Sequence, residues 1–344
     1  MLVTPEYVRT STAGAMKLGY VPGKFVRDAK LKCLNLLEVY DVRCAGRCAY
    51  CGLSRTRDRD DTFIRVDWPV VKVDEVIKRV NEVDKKDKFD RVCISMITHR
   101  RAYEDCLKLT KRFSKETNLL ISCLISPTVM KGKDNLGLLK DAGADKIGIA
   151  VDCATREIFE RYRGEGVGGP HRWDTYWNTA KDAVEIFGKG NVGVHLIVGL
   201  GETEEEMIST ISKAHSMGIE THLFSFYPEK GSMLEDHNRV SLGHYRRVQL
   251  ARYLINEKNA KYEDMKFNKN GELIDFGRDM REIEDIISSG RAFQTSGCKG
   301  KDGETACTRP FGNERPSEEP RNFPFKPNKD EIKKIKEELL SYRE

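Results

Sequence analysis

From residue 33 onward, short apolar runs of strand-forming residues alternate with amphipathic helical runs, and few architectures accept that alternation. Strands are predicted at 34–40, 91–97, 119–125, 146–151, 192–198, 222–227, 264–267 and, with a weaker pattern, 291–295. Between them, apolar residues recur every three or four positions over 73–83, 103–113, 174–187, 204–217 and 244–255, the spacing of helices with one buried face. Strands apolar on both faces need cover on both faces, which indicates a parallel sheet wrapped in helices. Eight such units predict an α/β fold, a (β/α)8 barrel of the TIM type, closed or incompletely closed. A doubly wound sheet shows the same alternation, but its first strand normally leads into a glycine-rich phosphate turn. Here a cysteine cluster stands in that place.

Composition divides the chain into three parts. Residues 1–32 read as a short leader, 33–296 as the barrel, and 297–344 as an irregular tail closed by an amphipathic helix over 329–343. The 297–327 stretch is rich in Gly, Pro, Asn, Arg and Glu and has the composition of a linker. Two of the ten cysteines fall inside it, which argues for an ordered role.

The net charge of +5 is modest and spread along the chain, so nucleic-acid binding is not expected. No apolar run approaches the roughly 18–20 residues of a membrane span, and residues 1–20 lack the apolar centre of a signal peptide. A cytoplasmic protein is expected. Its cysteines then point to metal ligation rather than to disulfides.

Spacing identifies the first ligands. Cys44, Cys48 and Cys51 follow the first predicted strand, at the C-terminal mouth of a barrel, where active sites are built. Three thiolates in eight residues can hold one corner of an iron–sulfur cluster and leave one iron open. A zinc site with a distant fourth ligand is the alternative on residue type alone.

The pattern C-x3-C-x-aromatic-C, with Tyr50 as the aromatic residue, resembles the radical S-adenosylmethionine (SAM) superfamily. The resemblance implies a [4Fe–4S] cluster whose open iron binds SAM, and a 5′-deoxyadenosyl radical that abstracts hydrogen from substrate. It also implies SAM contacts from Tyr50, Thr98, Asp152, Arg172 and Ile197. Asp152 would face the ribose hydroxyls, Ile197 the adenine, Arg172 the SAM carboxylate and Thr98 its amino group. On the residues alone, Asp152 could instead cap the following helix, and Arg172 could be a surface arginine. His195 stands where biotin-synthase-like members have glycine, and a satisfied core histidine is its ordinary reading. No catalytic residue is assigned beyond the cluster ligands.

A narrower resemblance rests on Leu34–Leu37, the run from Cys44 to Ser54, Val167–Trp173, Gly199–Glu202, and the tail Thr295–Cys298 with Cys307–Glu314. These segments are similar to the biotin-synthase-related proteins that form the split, two-protein lipoyl synthase of archaea. That likeness implies a sulfurtransferase that adds sulfur to an octanoyl-lysine chain, with a second, auxiliary [4Fe–4S] cluster as sulfur donor. Biotin synthase has strand cysteines at the positions of Cys93 and Cys123, while its third corresponds to Gly193. Cys298 and Cys307 are expected to complete the auxiliary set, and Cys33, Cys106 and Cys153 to serve as packing residues. The implied partners are a lipoyl carrier protein bearing octanoyl-lysine, a partner synthase protein and a ferredoxin-like electron donor. A biotin-synthase-type enzyme acting on a free small molecule and a radical SAM isomerase or maturase are the alternatives.

Overall fold

The structure is a computed structural model that describes residues 2–57, 66, 68–83, 87–130, 132–313 and 318–342. Glu314 of the tail motif and Arg343 of the expected last helix lie outside the described residues. In chain order the elements of the first half are β1 (Tyr7–Thr10), α1 (Thr12–Lys17), β2 (Cys33–Glu38), β3 (Val70–Lys72), α2 (Val73–Glu82), β4 (Arg91–Ser95), α3 (Ala102–Glu116), β5 (Leu120–Ile125), α4 (Asp134–Asp141) and β6 (Lys146–Asp152). The second half has α5 (Arg156–Tyr162), α6 (Trp173–Phe187), β7 (Val192–Val198), α7 (Glu204–Ser216), β8 (Glu220–Ser225), α8 (Leu242–Lys258), β9 (Lys266–Phe267), β10 (Leu273–Asp275), α9 (Met280–Ser289) and α10 (Lys329–Leu339).

One sheet of eight strands organises the molecule, in the order β3-β1-β2-β4-β5-β6-β7-β8. The six strands from β2 to β8 in that order are mutually parallel, and β1 runs antiparallel to both β2 and β3. Every residue of β2 and β4 is buried, as strands with a core on each face must be. Helix starts are set locally: Thr203 and Asn328 each form a capping box with a glutamate three residues on, at α7 and α10. The outcome is an α/β barrel-type sheet that stays open.

The seventh and eighth predicted strands do not join this sheet. Residues 266–267 form β9, which pairs with β10 in a separate antiparallel hairpin. Residues 291–293 form a 3-10 turn, followed by one isolated bridge between Gln294 and Phe323. The reason is apolar content: Lys266 is exposed and Phe267 only half-buried, so the segment cannot supply a strand buried on two faces. The last helix also ends before residue 343, at Leu339, with Leu340 exposed.

The tail packs against the N-terminal end of the barrel. Arg91, 1% exposed, donates two 2.6 Å hydrogen bonds to Asp145 and a 3.0 Å bond to the Lys299 carbonyl. Lys32 pairs with Asp302. Ala306 and Cys307 donate backbone bonds of 3.0 and 3.2 Å to the Cys298 carbonyl, closing a turn that sets the two tail cysteines side by side.

Candidate active site

The loop after β2 carries Cys44, Cys48 and Cys51 over the C-terminal ends of the strands. Backbone bonds fasten it on several sides: Ala45 to Thr98 at 2.8 Å, Ala49 to Tyr162 at 2.8 Å, and Leu234 to Ala49 at 3.1 Å. Amide groups already point at sulfur, with Gly46 and Thr98 each 3.3 Å from the Cys44 Sγ and Leu53 3.4 Å from the Cys51 Sγ. Such donors favour the thiolate that a metal requires. Against them, burial pushes the Cys48 thiol up to about 11 and raises Cys51 further.

The space these groups face is built for an inserted group. A Cβ placed on Gly46 would meet the His171 Nε2 at 3.0 Å, the Cys44 Sγ at 3.3 Å and the Cys48 Sγ at 3.8 Å. Two thiols and an imidazole therefore converge on a spot kept clear by a glycine. Beside it lies a cavity of about 220 Å³ lined by all three cysteines. Among the described residues no three His, Cys, Asp or Glu side chains converge as ligands of one ion would. Thiols that each take a different iron of a cluster stand further apart than that. The residues present fit a [4Fe–4S] cluster held by three thiolates, with one iron left for another ligand.

Tyr50, Thr98, Asp152 and Ile197 all line the cavity. Asp152 ends β6 with φ of 65° and a register shift against β7, which turns its carboxylate inward. It accepts from the Tyr50 hydroxyl at 2.7 Å and pairs with Arg163. Arg163 also donates to Tyr50 at 2.8 Å and to Tyr176 at 3.0 Å, and Tyr176 meets the His171 Nδ1 at 2.9 Å. The Thr128 hydroxyl lies 2.6 Å from the same Nδ1, so two hydroxyls fix the orientation of the His171 ring, with its Nε2 toward the cysteines. Burial, then Arg163 and Arg172, hold the His171 pKa down at about 2, so the ring is neutral.

The structure decides one alternative in this network and corrects one expectation. Thr155, not Asp152, caps α5, which frees the Asp152 carboxylate for the cavity. Arg172 is exposed, donates to the carbonyls of Gly169 and His171, and stands 3.4 Å from Glu165. It is absent from the cavity wall, because α6 begins at Trp173 and its N-terminal turn directs Arg172 outward. The arginine beside Asp152 in the cavity wall is Arg163, which sequence reasoning missed; its signal is the charge partner it gives to a buried aspartate.

A second group of thiols lies deeper in the barrel. Cys33, Cys93 and Cys307 cluster with Leu124 and Ala306, and Cys298 borders the same gap as Cys93 and Cys307. The Cys33 thiol donates to Cys307; this raises Cys33 and lowers Cys307, while burial raises Cys93 and pushes Cys298 up to about 12. Cys123 does not belong to this group. Register pairs Cys93 with Ser122 and Ile94 with Cys123, so Cys123 points at the helices, 3.3 Å from the Thr110 hydroxyl and accepting from the Cys106 thiol. Cys33, expected to be a packing residue, takes the inward place because it shares the face of Asn35, which is in register with Cys93.

Arg309 and His195 stand between the two sites and line both cavities. Arg309 donates to the Ser95 hydroxyl at 3.1 Å. His195 is held neutral by burial, with His222 and Arg309 adding to the effect, and its ring lies 5.7 Å from that of His222. Gly193 makes room for the His222 ring: a Cβ there would sit 2.6 Å from the His222 Nε2.

Residues 41–214 match the model of the Radical SAM superfamily, half of the chain. Among curated proteins, none matches significantly. The fold is similar to HydG, a maturase of the [FeFe]-hydrogenase, with a TM-score of 0.52 and 13% identity over 67% of this chain and 51% of that one. The chain thus spans about half the length of that maturase. Methylornithine synthase (PylB) aligns with a TM-score of 0.49 and 14% identity, over 80% of this chain and 86% of its own. Coproporphyrinogen III oxidase (HemN) from Escherichia coli gives 0.41 and 13%, over 83% and 65%. These likenesses are of fold, and the reaction has to be read from the site. No described helix is long and apolar enough to cross a membrane.

Proposed function

The chain belongs to the radical SAM superfamily, and from that premise we propose that it is a sulfur-insertion enzyme, a lipoyl synthase component acting on an octanoyl chain carried by a protein lysine. The observation that supports this reading is the inner group of Cys33, Cys93, Cys298 and Cys307, directly beneath the cavity of the first three cysteines. Four thiolates suit a complete [4Fe–4S] cluster. When bound, the first cluster with SAM supplies a radical that removes hydrogen from carbon, and the second supplies sulfur.

The chain's own residues bind, orient and exclude water. Cys44, Cys48 and Cys51 would hold three irons of the first cluster and leave the fourth without a protein ligand. Asp152, steadied by Tyr50 and Arg163, accepts from paired hydroxyls such as those of a ribose, while Thr98 and Ile197 flank the same space. Leu37, Ile97, Ile125 and Phe224 give the wall the apolar character an acyl chain needs. The carrier protein, a partner synthase and a ferredoxin-like donor are the partners this reading requires.

Anaerobic reconstitution, counting of iron and sulfide, and incubation with SAM, dithionite and an octanoyl-lysine peptide test the proposal. About eight irons per chain, 5′-deoxyadenosine and a sulfur-bearing peptide are expected. Formation of 5′-deoxyadenosine with four irons and no thiolated peptide would remove the sulfur-insertion reading and leave the superfamily standing.

A further inference from the structure

Arg252 on α8 is a buried arginine whose donors are almost unused. It is 8% exposed, and its hydrogen bonding amounts to one long contact, 3.5 Å from Nη1 to the Thr221 carbonyl. Burial pushes its pKa down, and the nearby Glu257 and Glu220 carboxylates oppose that shift without hydrogen-bonding to the guanidinium among the described residues. A buried guanidinium whose donors find no close acceptor is unfavourable. Its retention calls for something that completes it.

The side chain borders a polar cleft of about 620 Å³ between α8, the start of β8 and the tail. His222 forms part of the same wall. It is 4% exposed, and its Nδ1 is buried without a hydrogen-bond partner. Two buried polar groups with unused capacity thus face one space. Lys189, Arg291 and Lys299 stand exposed at its rim. Glu220, Glu257 and Glu304 line it as well, a mixture that disfavours a polyanion and suits a molecule with one anionic group.

We propose that this cleft is a binding site for a small molecule bearing an oxyanion, a carboxylate or a phosphate, held by Arg252 and His222. The planar fork of the guanidinium matches either group with two parallel bonds, and the histidine supplies a third contact. The site is separate from the radical cavity, with which it shares no lining residue. It abuts the inner thiol group, since His222, Ser296 and Gly297 line both the cleft and the gap beside Cys298. The inference does not depend on the sulfur-insertion reading.

Calorimetric titration of the full chain, purified without oxygen, with inorganic phosphate and separately with acetate tests it. Saturable binding of at least one probe is expected, and the probe that binds distinguishes a phosphate-bearing from a carboxylate-bearing ligand. Arg252→Gln is expected to weaken that binding about tenfold or more, the effect of losing a charged hydrogen bond. Lys299→Glu, at the exposed rim, is expected to weaken it about threefold and leaves the core intact should Arg252→Gln fail to fold. Absence of saturable binding by either probe overturns the proposal. So does an affinity that Lys299→Glu and a folded Arg252→Gln leave unchanged.

Discussion

The Tyr50 hydroxyl donates a 2.7 Å hydrogen bond to the Asp152 carboxylate across 102 positions of chain. It ties the three-cysteine loop to the end of the fourth barrel strand, and Arg163 joins both partners. The loop and the strand end therefore move as one unit, with the first cluster site and the cavity wall in fixed relation.

Breaking that unit has two readouts. Asp152→Ala leaves the Arg163 charge buried and is expected to destabilise the fold by about 3 kcal/mol, measured by urea unfolding. Asp152→Asn keeps the volume and is expected to weaken SAM binding to the reconstituted protein about tenfold, the loss of a charged acceptor.

Filling the cradle tests the first cluster site. Gly46→Ala puts a methyl group 3.0 Å from the His171 Nε2 and 3.3 Å from the Cys44 Sγ. The variant is expected to bind about four irons fewer per chain while its far-ultraviolet circular dichroism stays unchanged.

The inner thiols separate by parity. Cys33→Ala is expected to lower iron content at the inner site while SAM cleavage at the first site continues. Cys123→Ala is expected to keep its iron and lose only about 1 kcal/mol of packing. Equal iron losses in both variants would contradict the ligand assignment.

Glu202 sets a pH dependence. Its carboxyl is 5% exposed and is pushed up to about 7 by burial, although it accepts from the Gly199 and Leu200 amides. Between about pH 4.5 and 7 the folded chain holds a proton there that the unfolded chain has released. Stability from this group therefore falls as pH rises through that window, by roughly 3 kcal/mol in all. Glu202→Gln is expected to flatten that slope in unfolding midpoints measured across the window.

Gly193 and His222 form a coupled pair. Gly193→Ala forces a methyl group against the imidazole and is expected to cost about 1–3 kcal/mol. Removing the ring as well, in Gly193→Ala/His222→Ala, is expected to recover most of the clash energy, which a double-mutant cycle measures directly.

Local features of the sequence carried the first site and the central strands. The cysteine motif occupies eight consecutive residues, and the runs that became β4 to β7 are mostly apolar. The inner site was harder to read for the same reason. In a strand buried on both faces no polar alternation shows which residues point inward, so Cys93 and Cys123 look alike until register separates them. Cys33, at the first position of β2, shows its face only when β2 is aligned with β4. Arg163 and Arg252 give no periodic signal at all, since their roles come from what surrounds them in three dimensions.

The turn of residues 298–307 beneath the barrel has a consequence for how the molecule comes into being. The first three ligands leave the ribosome together and lie close from the outset. Cys33 and Cys93 must wait for Cys298 and Cys307, which emerge only after the last parallel strand and can dock only where Arg91 holds the Lys299 carbonyl. If the inner thiols hold a cluster, as proposed above, loading of the two sites would be ordered in time: the inner one would be a late, long-range product of folding, and its occupancy would report that the barrel above it has been completed.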